Sequence, residues 1–344
     1  MSPKLKEDEN KRKGKNRAKL FLYIAIFLFI IWAMATIWMA TTYKLNNESD
    51  NSDDFIKSKE TESITNVSNK KEPGIDLSIK DSEEGNTSGK LDGDELEPSM
   101  ETLLKVRPLQ FENIETIFGS MKSPQEISDI HSTFGKEVVY IYHSHSRESF
   151  LPYLKDTIRP EEAYHSLANI TLVGKMLGRA MEQRGMGTQV DTTDVVQILD
   201  SRNLDYTSSY NISRELVQLA QSENKNLEYL IDIHRDSLRK ENTTAEINGE
   251  KFAELLFVVG TGHVDFEKNL QFANDLHTLL ENKYPSLSKG IIQKSSNQGN
   301  GVYNQDLSPN ALIIEIGGVD NKVEELHRST EALAEVLSDY YWHK

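Results

Sequence analysis

From Glu137 to the end of the chain, short apolar runs alternate with amphipathic stretches, and few folds accept that rhythm. Val138–Tyr142, Gln189–Asp191, Leu227–Ile233, Phe252–Val259, Gly290–Gln293 and Ala311–Ile316 read as strands. Between them Asn169–Arg184 carries Ile170, Val173, Leu177 and Met181 on one helical face, with Gly185 as its stop. Asn211–Ser222, Val264–Tyr284 and Lys322–Tyr341 also read as helices. Alternation of this kind predicts one α/β domain over residues 137–344, with a mixed or parallel sheet flanked by helices on both faces.

The chain before that domain has a different character. The run Leu20–Ala40 is apolar apart from Thr36, and its 21 residues are enough to span a bilayer as a helix. Eight Lys or Arg precede it in the first 19 residues. The positive-inside rule therefore predicts a cytoplasmic tail (1–19), a transmembrane helix (20–42) and everything else outside the cell. Residues 43–100 are acidic and poor in apolar side chains, so they cannot bury a core and read as a flexible linker. Residues 101–136 have helical spacing through Leu103, Leu104, Phe111, Ile114, Ile117 and Phe118, and Ser123-Pro-Gln-Glu126 reads as a helix start. The net charge of −15 argues against nucleic acid as a partner. With no cysteine, a metal site would have to be built from His and carboxylates.

Three of the strands break onto such residues: Tyr140-Ile-Tyr-His-Ser-His-Ser-Arg-Glu148, Ile231-Asp-Ile-His-Arg-Asp-Ser237 and Ile313-Ile-Glu-Ile-Gly-Gly318. Strand ends at a sheet edge are where α/β enzymes place their chemistry. His145 and Glu148, spaced His-x-x-Glu, can reach one cation, and His234 is a further zinc ligand whose second ring nitrogen Asp232 or Asp236 would hold. His165, just before a long helix, is another candidate ligand. Glu315 is a carboxylate inside an apolar strand, a costly placement unless it is paired or used, and it fits a general base and acid. Arg235 is a candidate donor to an oxyanion. If the first strand continues, His143 and His145 face the same way and Ser144 faces oppositely. The segment Tyr303-Asn-Gln-Asp-Leu-Ser308 either lines the groove or forms a capped turn.

Tyr142-His-Ser-His-Ser-Arg-Glu-Ser149, Asp232-Ile-His-Arg-Asp-Ser237, Tyr303-Asn-Gln-Asp-Leu-Ser-Pro309 and Ile314-Glu-Ile-Gly-Gly318 resemble the signature blocks of the stage II sporulation protein P family. The resemblance covers residues 137–344, and the basic tail, single anchor and linker match its layout. It implies a fold and site similar to those of zinc N-acetylmuramoyl-L-alanine amidases, with Zn2+ as cofactor. It also implies amidase and endopeptidase activity on peptidoglycan, in septal wall thinning and engulfment during endospore formation. The implied partners are the lytic transglycosylase sporulation protein D and the membrane protein sporulation protein M. The implied location is the cell membrane at the septum, with the catalytic domain extracytoplasmic. His145 takes the place of the amidases' first ligand, His234 that of their later strand-end His, and Glu315 that of their catalytic Glu. The place of their second ligand, a Glu before the first long helix, is nearest His165, so either Glu148 or His165 completes the set. The alternative is a membrane-tethered peptidoglycan-binding scaffold with a degenerate metal site.

Overall fold

Glu137–Tyr142 forms strand β1, and every residue after Glu137 in it is buried. The strand lies parallel to a neighbour on each side and is covered on both faces, which is why its apolar run is continuous rather than alternating. The computed structural model describes residues 97–122 and 131–343, all within one compact unit, Lys90–Lys344. The basic tail, the apolar segment 20–42, the linker up to residue 96 and the helix start at Ser123 lie outside the described residues. Among the described residues no helix is long and apolar enough to cross a membrane.

Two short helices, α1 (Met100–Leu104) and α2 (Ile114–Gly119), precede β1. After it come α3 (Thr171–Gln183), β2 (Gly187–Val190), α4 (Val195–Ser201), α5 (Ser209–Glu223) and β3 (Tyr229–Asp236). Then follow β4 (Thr244–Ile247), β5 (Glu250–Ala253), β6 (Leu255–Gly260), α6 (Phe266–Lys283), β7 (Ser288–Lys294), β8 (Asn310–Gly318) and α7 (Val323–His343). Six strands make one sheet in the order β2-β1-β3-β8-β6-β7. All its pairings are parallel except β6 with β8. The architecture is therefore α/β with a mixed, mostly parallel sheet.

Residues two apart on a strand share a face, and the two faces are covered by different helices. Val139, Ile141, Ile231, Ile233, Leu312, Ile314, Phe257 and Val259 pack with apolar residues of α3, α6 and α7 in the main core. The opposite face carries Tyr140, Tyr142, Leu230 and Ala311 under Val217 and Ala220 of α5. Further along that second face the same strands carry Asp232, His234 and Glu315, since His234 is in register with Glu315. These candidate residues thus sit on the α5 side, toward the C-terminal ends of β1, β3 and β8.

Several elements depart from the sequence expectation. β3 runs through Asp236 rather than stopping at Ile233, because pairing with β8 continues past His234 and, after a bulge, joins Asp236 to Gly318. The stretch Phe252–Val259 is two strands. At Glu254 the N–H donates to the Thr243 carbonyl (2.9 Å) and the carbonyl accepts from Gly317 (2.8 Å), so the chain leaves one ladder and enters another. β4 and β5 form a hairpin closed by Asn248-Gly249, both at positive φ (54° and 80°), the pair that a two-residue hairpin turn requires. α4 was not expected; the Asp194 side chain caps it by accepting from Gln197 N–H.

Candidate metal centre

β1 ends at Tyr142, and the chain then makes a tight turn closed by Glu148 N–H donating to the His145 carbonyl (3.1 Å). The turn brings the side chains of His145 and Glu148 onto one side. Beyond it the loop is clamped by Ser149 N–H to the Ala163 carbonyl (2.8 Å) and Ile170 N–H to the Glu148 carbonyl (2.7 Å). β3 delivers His234 from the neighbouring strand. One ligand atom each from His145, Glu148 and His234 lies within 4.8 Å of the others. Glu148 Oε1 is 3.3 Å from His145 Nδ1 and 3.5 Å from His234 Nδ1. Its other oxygen, Oε2, accepts from Arg235 N–H at 2.9 Å, which fixes the carboxylate plane.

The electrostatics follow from that crowding. Burial by itself would raise the Glu148 pKa, yet the charge of His234 and the hydrogen bonds from His145 and His234 hold it well below the usual carboxylate range. Burial likewise opposes charge on His234, but Asp232 and Glu148 on either side push its pKa well above the ordinary imidazole value. Two imidazoles and one carboxylate whose ligand atoms lie this close together form a donor set that could hold a metal ion. Asp232 is fully buried and lies 3.2 Å from His234 Nε2, on the ring edge away from Glu148. Asp236 does not take that place; its Oδ1 accepts from Leu238 N–H at 2.9 Å.

Glu315 stands on β8 directly beside His234. Neighbouring strands are about 4.8 Å apart, so its carboxyl overlooks the cluster. Its Oε2 is buried without a hydrogen-bond partner in the protein. Burial first, opposed by His234 and reinforced by the charge of Glu148, pushes its pKa up to about 8. Tyr206 and Tyr210 wall the other side of His145, with ring centroids 4.6 and 5.4 Å from the imidazole. Tyr303 packs edge-on against Tyr210 at 5.1 Å. The Tyr303–Ser308 segment both lines this wall and turns. Tyr303 and Asn304 are left-handed (φ 54° and 59°), and Asp306 forms a bidentate pair with Arg214 (both 2.7 Å).

Three expected residues are not brought to the centre. His165 is spent on its own loop: Nε2–H donates to the Arg107 carbonyl at 3.1 Å, and Nδ1 accepts from Leu167 and Ala168 N–H at 2.9 and 3.1 Å. A ring with both nitrogens occupied has no lone pair for a cation, so Glu148 and not His165 completes the cluster. Arg235 points away from the oxyanion side, since its neighbours His234 and Asp236 occupy the other face of the pleat. Its guanidinium donates to the carbonyls of Ser149 (2.9 Å) and Ala163 (3.0 Å) and lies over the Tyr164 ring. His143 is buried on the opposite face, against Gly174 of α3, with Nδ1 3.0 Å from the Asp191 carbonyl. Ser144 is the residue on the site face, the reverse of the expectation; alternation continues from Tyr140 and Tyr142, and it is the turn that swings His145 back. Tyr206 and Tyr210 went unnoticed in the sequence. Their spacing of four on a helix start marks a shared face, but nothing local says that the face meets His145.

The fold and the centre together define a mixed α/β domain with a two-histidine, one-carboxylate candidate metal site and a carboxyl group poised beside it. The family model for stage II sporulation protein P matches residues 32–338, and the chain belongs to that family. Stage II sporulation protein P of Bacillus subtilis (strain 168) is 51% identical over 211 residues, covering 61% of this chain and 53% of that protein. The aligned stretch thus spans about half the length of that relative. Among solved structures, a metallo-carboxypeptidase from Burkholderia cenocepacia overlays with a TM-score of 0.37 at 11% identity, covering 62% of this chain and 59% of that one.

Proposed function

We propose that the chain is a zinc-dependent amide hydrolase of peptidoglycan, an N-acetylmuramoyl-L-alanine amidase and endopeptidase acting in septal wall thinning and engulfment during sporulation. The observation that carries this reading is the convergence of His145, Glu148 and His234 beside a Glu315 whose Oε2 is buried without a hydrogen-bond partner. The apolar segment 20–42 would anchor the chain with the domain outside the cell, where the wall is. Sporulation proteins D and M are the partners this placement would bring within reach.

His145, Glu148 and His234 would hold the ion, which when bound supplies Lewis acidity at the scissile carbonyl and lowers the pKa of the attacking water. Glu315 takes the water's proton as its oxygen bonds to the carbonyl carbon. The carbon–nitrogen bond then breaks, and Glu315 returns the proton to the leaving amine. A carboxyl whose burial raises its pKa toward neutrality is suited to both halves of that exchange. Asp232 holds His234 from behind, and Arg235 holds Glu148 through its backbone N–H. The test is zinc content of the full chain together with muropeptide analysis of digested sacculi. Stoichiometric zinc with release of free stem peptides is expected. Binding to sacculi without new products would favour the scaffold reading instead.

A further inference from the structure

Ser144 is fully buried, and its N–H and hydroxyl meet His234 and the Asp232 that flanks it. Its N–H donates to Asp232 Oδ1 at 2.9 Å. Its Oγ is 2.9 Å from His234 Nε2, closer than the Asp232 oxygen at 3.2 Å. It is also hydrogen-bonded to the Tyr210 side chain. We propose that Ser144 is a positioning residue of the metal centre: its hydroxyl, with Asp232, locks His234 in the tautomer and orientation that present Nδ1 to the cation, and ties that ring to Tyr210. The proposal rests on the metal-centre reading above.

The chemistry of the partners fixes the direction. A carboxylate only accepts, so with Asp232 beside it His234 Nε2 must carry hydrogen. A neutral His234 then has its lone pair on Nδ1, which is the nitrogen facing Glu148 Oε1. Asp232 alone would leave the ring free to tilt about that long contact. Ser144 Oγ accepts from the same Nε2–H at shorter range, and its own O–H donates toward the Tyr210 oxygen. Tyr210 in turn packs on His145 and on Tyr303. The serine therefore links the two ligating histidines through a chain of hydrogen bonds and ring contacts. Partners that orient a ligating imidazole change metal affinity by about 10–100-fold when removed.

The test uses the full chain and reads zinc affinity by chelator competition, together with the visible spectrum of the cobalt-substituted protein. Ser144→Ala should bind zinc about 10–100-fold more weakly, with a shifted cobalt ligand-field band. Tyr210→Phe, which keeps the ring and removes only the hydroxyl, should lose affinity in the same direction and by less. In the double variant the two losses should fall short of additive. Zinc affinity within twofold of the parent and an unchanged cobalt band in Ser144→Ala would overturn the proposal. If circular dichroism shows Ser144→Ala to be unfolded, Tyr210→Phe decides alone, and parental affinity there overturns it. A parent that binds no zinc, or zinc that survives His145→Ala and His234→Ala, instead overturns the metal centre itself.

Discussion

Glu315 illustrates how much one residue can be asked to do by its address. It is placed by strand register beside His234, and its pKa is pushed up to about 8, chiefly by burial. Glu315→Gln should keep zinc and sacculus binding while amide hydrolysis falls by about 10²–10⁴-fold, as loss of a general base does. Loss of zinc in that variant would make Glu315 a ligand; parental turnover would make it structural. A second prediction concerns stability of the metal-free chain. The folded-state pKa exceeds the ordinary value of 4.5, so the folded form retains a proton that the unfolded form gives up. That contribution is fully present below about 4.5 and is lost as pH rises through about 8. Glu315→Gln removes the loss, so its melting temperature should pull ahead of the parent's as pH increases across that window. A gap independent of pH would show that the carboxyl titrates normally. Among the histidines, His145→Ala and His234→Ala should each abolish zinc binding, whereas His165→Ala should leave it measurable by metal analysis, because His165 braces the loop rather than the ion.

At the scale of elements, α3 lies unusually close to β1. A Cβ built on Gly174 would come within 2.3 Å of His143 Nε2 and 2.5 Å of its Cε1. Replacing a mid-helix glycine by alanine normally stabilises a helix by about 1 kcal/mol. Overpacking a buried site costs about 1–3 kcal/mol, and the ring it would strike is itself buried. The clash should win: Gly174→Ala is expected to lower stability by up to about 2 kcal/mol in urea denaturation. A gain in stability would mean that α3 can ride outward at no cost. The expected helix over Asn169–Arg184 was legible from its apolar face alone; the glycine that lets it approach was not, since the partner ring comes from the residue just after β1, about thirty residues earlier. In the same way the Asn248-Gly249 hairpin carried a local signal, while the switch of ladders at Glu254 depends on Gly317 far along the chain.

At the scale of the molecule, the segment before β1 is stitched to the loop that carries the candidate ligands. Arg147 donates to the Leu103 carbonyl (2.9 Å), Arg107 to the Tyr164 carbonyl (3.2 Å) and His165 to the Arg107 carbonyl (3.1 Å). Gln110 N–H meets the Tyr153 carbonyl and Lys155 N–H the Pro108 carbonyl, both at 2.9 Å. Those that reach the carbonyls of Leu103, Arg107, Tyr153 and Tyr164 satisfy backbone groups of buried residues. A chain beginning at Glu137 should therefore keep its sheet by far-ultraviolet circular dichroism but lose most of its zinc, whereas one beginning at Glu97 should retain it. Equal zinc in both would show that the loop orders itself.

The sequence by itself determined the α/β class and the approximate position of the main strands, and it singled out His145, His234 and Glu315 as candidates, with Glu148 and His165 left as alternatives. It could do so because burial periodicity is local, and because a charged or ligating side chain inside an apolar run is conspicuous wherever the run ends up. Only the tertiary structure decided between Glu148 and His165, sent the Arg235 guanidinium to two backbone carbonyls, and put Ser144 rather than His143 on the site face. It also decided that β6 runs against β8 and that Tyr206 and Tyr210 stand beside His145. Each of those outcomes turns on which distant backbone group a polar side chain meets, and that meeting is set by register and loop closure rather than by any neighbour in the chain.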